Sequence, residues 1–288
     1  MSLVKKSEAH FKIEVIGPRI SWFDLNLKEV WNYRDLLFMF VKRDFAAYYK
    51  QTILGPLWFF IQPLLTTIVF SVVFGKFAGI STDGMPRMLF YLAGLTIWNY
   101  FSDCFTQTAN IFTVNANIFG KVYFPRLIIP LSIVVSGLIK YAVQFTLFLV
   151  FYFYWLVKGG TPIHPQPQIF LLPLLVLMMA GFAFGAGLIF SSMTTKYRDL
   201  SFLLTFGVQL LMYATPVIYP LASIPIRYQF LVRLNPLSAI VETFRFAFLG
   251  TGHFQPIDLL YSGFVLFLIL LAGVVVFNKV EKRFMDTI

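Results

Sequence analysis

The chain has 288 residues, 58% of them hydrophobic and only 12% charged, and carries a formal charge of +10. A soluble domain is nearer half apolar and a quarter charged, so this balance excludes an ordinary soluble protein and predicts a membrane protein. In that setting the basic excess points to cationic ends held at the cytoplasmic face of a bilayer, not to nucleic acid.

Residues 1–27 contain Lys5, Lys6, His10, Lys12 and Arg19 and no apolar core. They are expected to form a cytoplasmic extension, with no cleavable signal peptide. Residues 28–50 predict an amphipathic helix lying on the membrane. Lys28, Asp35 and Lys42 are spaced by seven, as are Arg43 and Lys50, while Val30, Tyr33, Leu37, Phe40, Val41 and Tyr48 fall on the other face. Arg34 and Asp44 break the pattern. Basic residues on the wet side of such a helix are the signature of an interfacial element.

From residue 51 to 280 the chain reads as a transmembrane domain, and 281–288 as a cytoplasmic tail. A span needs about 20 mostly apolar residues. Six segments qualify: 55–75, 88–112, 127–157, 169–192, 200–220 and 258–277. The first is interrupted by Gly55, Pro56, Gln62 and Pro63. Between the fifth and sixth lie ATPVIYPLASIPIRYQFLVRLNP, with Pro216, Pro220, Pro225 and Pro236, and PLSAIVETFRFAFLG, which is short and holds Glu242 and Arg245. Such pieces suit a re-entrant hairpin at one membrane face. The expected fold is therefore all-α: six transmembrane helices, an N-terminal interface helix and a re-entrant helical hairpin between helices five and six. Sixteen Lys and Arg residues fall on the side of the termini against six on the other, which places both termini in the cytoplasm.

No chemistry of an enzyme is evident. The Gly-Lys pairs, Gly75-Lys76 and Gly120-Lys121, are followed by Phe77 and Val122, so neither completes a phosphate-binding loop. His10, His164, His253 and Cys104 are isolated in the sequence, which argues against a metal site. Asp44 and Asp199 adjoin spans beside basic neighbours and read as solvated ion-pair partners. GFAFGAG places Gly181 and Gly185 four apart in span four, a spacing that lets helices approach closely in lipid. Two uses of the aromatic excess stand side by side, an interfacial belt or a ring-lined channel with Trp58, Phe59, Trp98 and Tyr100 on its wall. Asp103 and Lys140 are charges within predicted spans, at similar depth. Each should seek a partner or water, since a lone charge at the bilayer centre costs about 2.5–3.5 kcal/mol.

The order KRDFAAYYKQTILGPLWFFIQPL, NIFGKVYFPRLIIPLS, ATPVIYP and EKRFMDTI resembles the ABC type-2 permeases that export bacterial surface polysaccharides, above all the O-antigen exporter subunit. Capsule and teichoic-acid permeases look similar, and the resemblance covers roughly residues 28 to 288. It implies half of a homodimeric channel in the bacterial inner membrane. Two copies would work with two ATPase subunits that bind the ATP and Mg, so this chain needs no cofactor of its own. The cargo would be a polysaccharide on a polyprenyl pyrophosphate, among membrane lipids. The resemblance makes residues 28–50 an elbow helix that bends into span one at Gly55-Pro56. Gln62 then suits a channel wall or a simple kink. NANIFGKVYFPR becomes the coupling helix, with Ile118, Phe119, Lys121, Tyr123, Phe124 and Arg126 meeting the ATPase. Lys42, Arg43 and Lys50 could receive the pyrophosphate, and Pro216, Tyr219, Pro220 and Pro236 would belong to an extracytoplasmic gate. A small-molecule exporter or a membrane enzyme is the competing class.

Overall fold

The computed structural model describes residues 27–50, 54–115, 118, 124–197 and 199–285. The described chain is helical: α1 (Leu27–Asn32), α2 (Arg34–Lys50), α3 (Trp58–Phe70), α4 (Arg87–Ala109), α5 (Ile111–Val114), α6 (Ile128–Lys158), α7 (Leu172–Lys196), α8 (Leu200–Ala214), α9 (Ile226–Arg233), α10 (Pro236–Leu249) and α11 (Pro256–Met285). Among the described residues four helical stretches are long and apolar enough to cross a membrane: Trp58–Phe77, Ile128–Lys158, Pro167–Lys196 and Pro256–Lys279.

The turn at Gly55–Leu57 that leads from α2 to α3 puts Gly55 at φ 52°, a left-handed conformation that favours glycine. Glycine there lets the chain change direction where the sequence suggests a bend. Helix α3 continues through Pro63 and widens into a π-helix over Ser71–Phe77.

Helix α4 is the hub. It packs against α3, α6, α7, α8 and α10, and the run from Leu89 to Trp98 is buried without a break. This explains why α4 is not among the four strongly apolar stretches although it occupies an expected span. Arg87, Asn99, Asp103 and Gln107 lower its hydropathy, and a helix sheathed by protein tolerates polar groups that a lipid-facing one does not. Asn99 donates to Gln144 of α6 at 3.3 Å. The opposite case is α11, where only 11% of the apolar window is buried and mean hydropathy reaches 2.7. Helix α8 has 15 residues, shorter than the 200–220 span expected from sequence, because the chain turns at Thr215 into the proline-rich loop.

A second core, apart from the one around α4, gathers Phe40, Ile111, Phe112, Phe124, Ile128, Leu188 and Phe277. It joins α2 to the starts or ends of α5, α6, α7 and α11. The interface-helix face read from the sequence has its structural counterpart here: Phe40 and Val41 are buried, Tyr33 and Leu37 pack against the cluster, and Asp35, Lys42 and Arg43 are exposed.

The glycines of GFAFGAG serve contact within the chain. A Cβ on Gly273 of α11 would lie 2.5 Å from the carbonyl oxygen of Gly185 in α7, so the two backbones touch. Gly273→Ala should therefore cost about 1–3 kcal/mol, the usual range for overpacking a close-fitted site. Gly263 lies on the same helix, and a Cβ there would meet nothing within 4 Å. Gly263→Ala should be neutral or slightly stabilising. Thermal unfolding of both variants in detergent separates the two.

Candidate functional site

At one end of the bundle the chain between α8 and α11 is organised around a single guanidinium. Arg245 of α10 is 1% exposed and Glu242, one turn earlier, 3%. Arg245 donates to the carbonyls of Pro216 and Val217, to the Tyr219 carbonyl at 3.3 Å and to Glu242 Oε1 at 3.4 Å. Its Cζ sits 3.9 Å from the centroid of the Phe90 ring. The second carboxylate oxygen of Glu242 accepts the His253 backbone N–H at 3.0 Å. One ion pair thus ties the loop after α8, helix α10 and the loop before α11. Gly94 of α4 makes room for it, since a Cβ there would meet both Arg245 Nη2 and the Val217 carbonyl. Asp83, in the loop before α4, lies within the field of Arg245. Burial raises its carboxyl pKa and the guanidinium opposes that rise.

Local sequence explains the frame. Asn235 caps α10, accepting from the Leu237 N–H and donating to Thr215 Oγ1 at 2.8 Å, and Pro236 takes the first helical position, where no N–H partner is needed. Ser262 of α11 donates to the Pro236 carbonyl at 2.7 Å. Of the residues expected at a gate, Pro216 and Pro220 are buried, Tyr219 is half-buried and donates to the Tyr213 carbonyl at 2.9 Å, and Pro236 starts α10. Sequence reasoning brings these four into one segment but misses Arg245 and Glu242, which it registers only as charges too many for a span. Their i, i+3 spacing inside an apolar run is the available signal.

At the other end, α2, α3 and α6 meet around a crevice lined by Asp44, Phe45, Phe59, Ser136, Ile139 and Lys140. The Lys140 ammonium lies 5.6 Å from the centroid of the Phe59 ring. Asp103 and Lys140 are both half-buried and interact electrostatically. No direct ion pair links these two described residues. Lys42 and Arg43 are exposed, with Arg43 bonded to Asp44 at 2.8 Å and lying over the Phe40 ring. The Lys50 side chain lies outside the described residues.

The residues expected on a channel wall divide. Trp58 and Gln62 are exposed on α3 and Phe59 is half-buried. Trp98 and Tyr100 are 2% and 3% exposed, sealed in the α4 core, where Trp98 packs on Phe101 and the Tyr100 hydroxyl donates to the Val134 carbonyl at 3.3 Å. Burial of two large rings against neighbouring helices outweighs their display on an open wall. The expected coupling residues divide too. Phe119, Lys121 and Tyr123 lie outside the described residues and Ile118 is half-buried. Phe124 and Arg126 are 5% and 6% exposed. Phe124 turns inward onto Phe40, with ring centroids 5.9 Å apart, and so forms part of the second core instead of an exposed knob.

A family model described as ABC-2 type transporter matches residues 35–249. An O-antigen export system permease protein, RfbA, of Klebsiella pneumoniae is 30% identical over 254 residues, which cover 88% of this chain and 94% of that protein. The protein of the same description from Myxococcus xanthus is 28% identical over 77% of this chain and 83% of its own length. The capsule polysaccharide export inner-membrane protein CtrC of Neisseria meningitidis is 24% identical over 82% of this chain and 89% of that protein.

Removing the guanidinium should loosen the clasp. Arg245→Met leaves the buried Glu242 carboxylate without its cation and should cost about 3–5 kcal/mol, the range for breaking one side of a buried pair. Hydrogen exchange of the backbone amides in 214–221 and 250–255 should accelerate with it. Arg245→Lys keeps the charge but not the planar fork and should fall between. Glu242→Gln should be the mildest, since the amide oxygen can still accept the His253 N–H.

Proposed function

The chain belongs to the ABC-2 type transporter family, and from that premise we propose that it is the membrane-spanning permease subunit of an ATP-driven exporter of lipid-linked polysaccharide. The observation that carries the reading is the 30% identity to an O-antigen export permease across 94% of that protein. A match of that extent involves the whole architecture and not a shared module. We take an O-antigen-type polymer on a polyprenyl pyrophosphate as the cargo, moved outward across the bacterial inner membrane. The similarity to a capsule polysaccharide export protein supports a capsule polymer as the second reading.

In this reading six helices span the bilayer. Helix α3 together with the π-helix that continues it to Phe77, and helices α6, α7 and α11, have the length and composition for it. The hub α4 is shielded from lipid, and the short α8 is extended by the loop that Arg245 holds. The hairpin of α9 and α10 re-enters from the outer face and forms the gate, and α2 lies at the inner face with both termini cytoplasmic. Lys42, Arg43 and Lys50 would attract the pyrophosphate by paired cations near low dielectric. Catalysis of ATP hydrolysis belongs to a separate ATPase subunit, two of which would serve two copies of this chain. The segment from Ile118 to Tyr123 would meet the ATPase, with Phe124 anchoring it to the second core.

Deleting the chain from its host should abolish surface polysaccharide while lipid-linked polymer accumulates inside, and restoring it should reverse both. Unchanged surface polymer would overturn the reading. Phe119→Asp with Tyr123→Asp places two charges in an apolar contact. It should reduce the ATPase that co-purifies with the chain by about tenfold or more, as expected when central aromatic anchors are lost.

A further inference from the structure

After Trp98 the hub helix changes character. From Leu89 to Trp98 every residue is buried, but Asn99, Ser102, Asp103, Thr106, Gln107 and Asn110 are not. All six are polar, and every residue between them, from Tyr100 to Ala109, is buried. Steps of three and four residues put the six on one stripe of α4. Among the described residues no hydrogen bond engages the side chains of Ser102, Thr106 or Gln107. A helix buried for packing alone has no use for such a stripe.

The stripe has polar neighbours on both sides. On one, Gln144 of α6 accepts from Asn99 at 3.3 Å, and Lys140 lies in the field of Asp103. On the other, Ser201 at the start of α8 donates to Asn110 Oδ1 at 2.9 Å. Helix α8 runs back along α4 from that bond, since Val217, just past its end, meets α4 at Gly94. Thr205 and Gln209 follow Ser201 at one-turn spacing, both exposed, so a second polar row runs beside the stripe. We propose that these rows form one wall of a water-filled groove, open at the inner mouth and ending at the Arg245 clasp, that receives the neutral sugar units of the polymer.

Depth and chemistry support the groove. From Asn99 to Asn110 the stripe is about 17 Å long at about 1.5 Å per residue, roughly half of a ~30 Å hydrocarbon core. Amides and hydroxyls turned toward lipid over that depth would go unsatisfied, so they call for water or a polar ligand. The stripe stops at Asn99, about 7.5 Å along α4 from Gly94, where the guanidinium and the Val217 carbonyl crowd the helix. The clasp and the buried run before Trp98 close that end. Amides and hydroxyls both donate and accept, which matches the hydroxyls of a sugar. The one carboxylate has Lys140 beside it, so the wall offers no surplus charge to hold an ionic ligand. This inference rests on the proposed function, which puts the α2 end of the bundle at the cytoplasmic face and supplies the polymer.

A charged, membrane-impermeant methanethiosulfonate tests the groove in inverted membrane vesicles, which expose the cytoplasmic face. Ser102→Cys, Gln107→Cys and Thr205→Cys should react at least about tenfold faster than Leu271→Cys on the uncovered face of α11, because a thiol ionises in water and not in hydrocarbon. Gln107 and Thr205 are exposed, so cysteine there leaves the packing intact. The unaltered chain sets the baseline, since its single cysteine, Cys104, is buried. Gln107→Cys should lead Ser102→Cys, which lies deeper. Stripe cysteines that react no faster than Leu271→Cys, that react only from the outer face, or that join two copies by disulfides instead of reacting would each overturn the groove. Contact with sugar is read in cells that make the polymer, by photo-cross-linking from benzoylphenylalanine placed at Thr106 or at Leu271. The polymer should be captured from Thr106 and not from Leu271. No capture from Thr106, in a host where deleting the chain abolishes surface polymer, would overturn the sugar assignment. Labelling needs no cargo, so a chain that exports something else fails the deletion test and still shows the groove.

Discussion

A guanidinium buried to 1% exposure in an apolar helix bundle must find acceptors in almost every direction, because desolvating it costs several kcal/mol. Arg245 meets that requirement at its two terminal nitrogens, mostly with backbone, taking the carbonyls of Pro216, Val217 and Tyr219, while its Nε has no acceptor among the described residues. These carbonyls belong to a loop in which Pro216 and Pro220 supply no N–H of their own, so regular helix pairing is not available there. The prolines create the surplus of acceptors and the arginine absorbs it. The path of the chain from α8 to α11 follows from that exchange: the loop stays close to α10, and α10 stays inside the bundle against α4.

The same logic of shielding governs α4. Its polar residues are housed by neighbours, Asn99 by Gln144 and the Tyr100 hydroxyl by a carbonyl of α6. Its apolar run is spent on helix contacts and not on lipid. Hydropathy measures preference for hydrocarbon, and a hub has little contact with it. Helix α11, with most of its apolar surface uncovered by the chain, shows the complementary limit. Where α7 and α11 do meet, they meet backbone to backbone at Gly185 and Gly273. Apolar side chains gain little on leaving lipid for a neighbouring helix, so close approach and dispersion supply the attraction.

Much of the architecture was legible in the sequence because it rests on periodicity and length. The inward face of α2, with Phe40 and Val41, followed from helical spacing, and the turn at Gly55 followed from its residue types. The spans at 88–112 and 127–157 fall on α4 and α6 nearly end to end. The candidate site was less legible. Nothing local separates a Trp or Tyr in an aromatic belt from one in a core, and Trp98 and Tyr100 went to the core because α4 is central. Phe124 looked like an exposed knob because its partner, Phe40, lies more than eighty residues away in the chain. Glu242 and Arg245 read as a penalty, since the carbonyls that repay the cost come from another segment.

The two ends of the bundle are built on different terms, and this bears on how movement can pass between them. The end with the Arg245 clasp is fixed by directional bonds from one side chain to main-chain carbonyls, an arrangement that holds its shape or is broken outright. The other end is held by packing: Phe40 on Phe124, and Phe112 stacked on Phe277 at 5.2 Å. Packed apolar contacts slide and re-seat at smaller cost per contact than a buried charge loses on exposure. Phe124 packs on Phe40, in one cluster with Ile128, Ile129 and Ile133, so α2 is seated on the start of α6. Along α6 the contacts lead to α10 at Phe244 and Phe248 and to α4, which reaches Arg245 at Gly94 and Phe90. Helix α4 and helix α10 thus both link the clasp to α6, the latter through the Phe244 and Phe248 rings on Phe145 and Phe148. A shift that arrives through α6 can leave the clasp intact only if α4 and α10 move together.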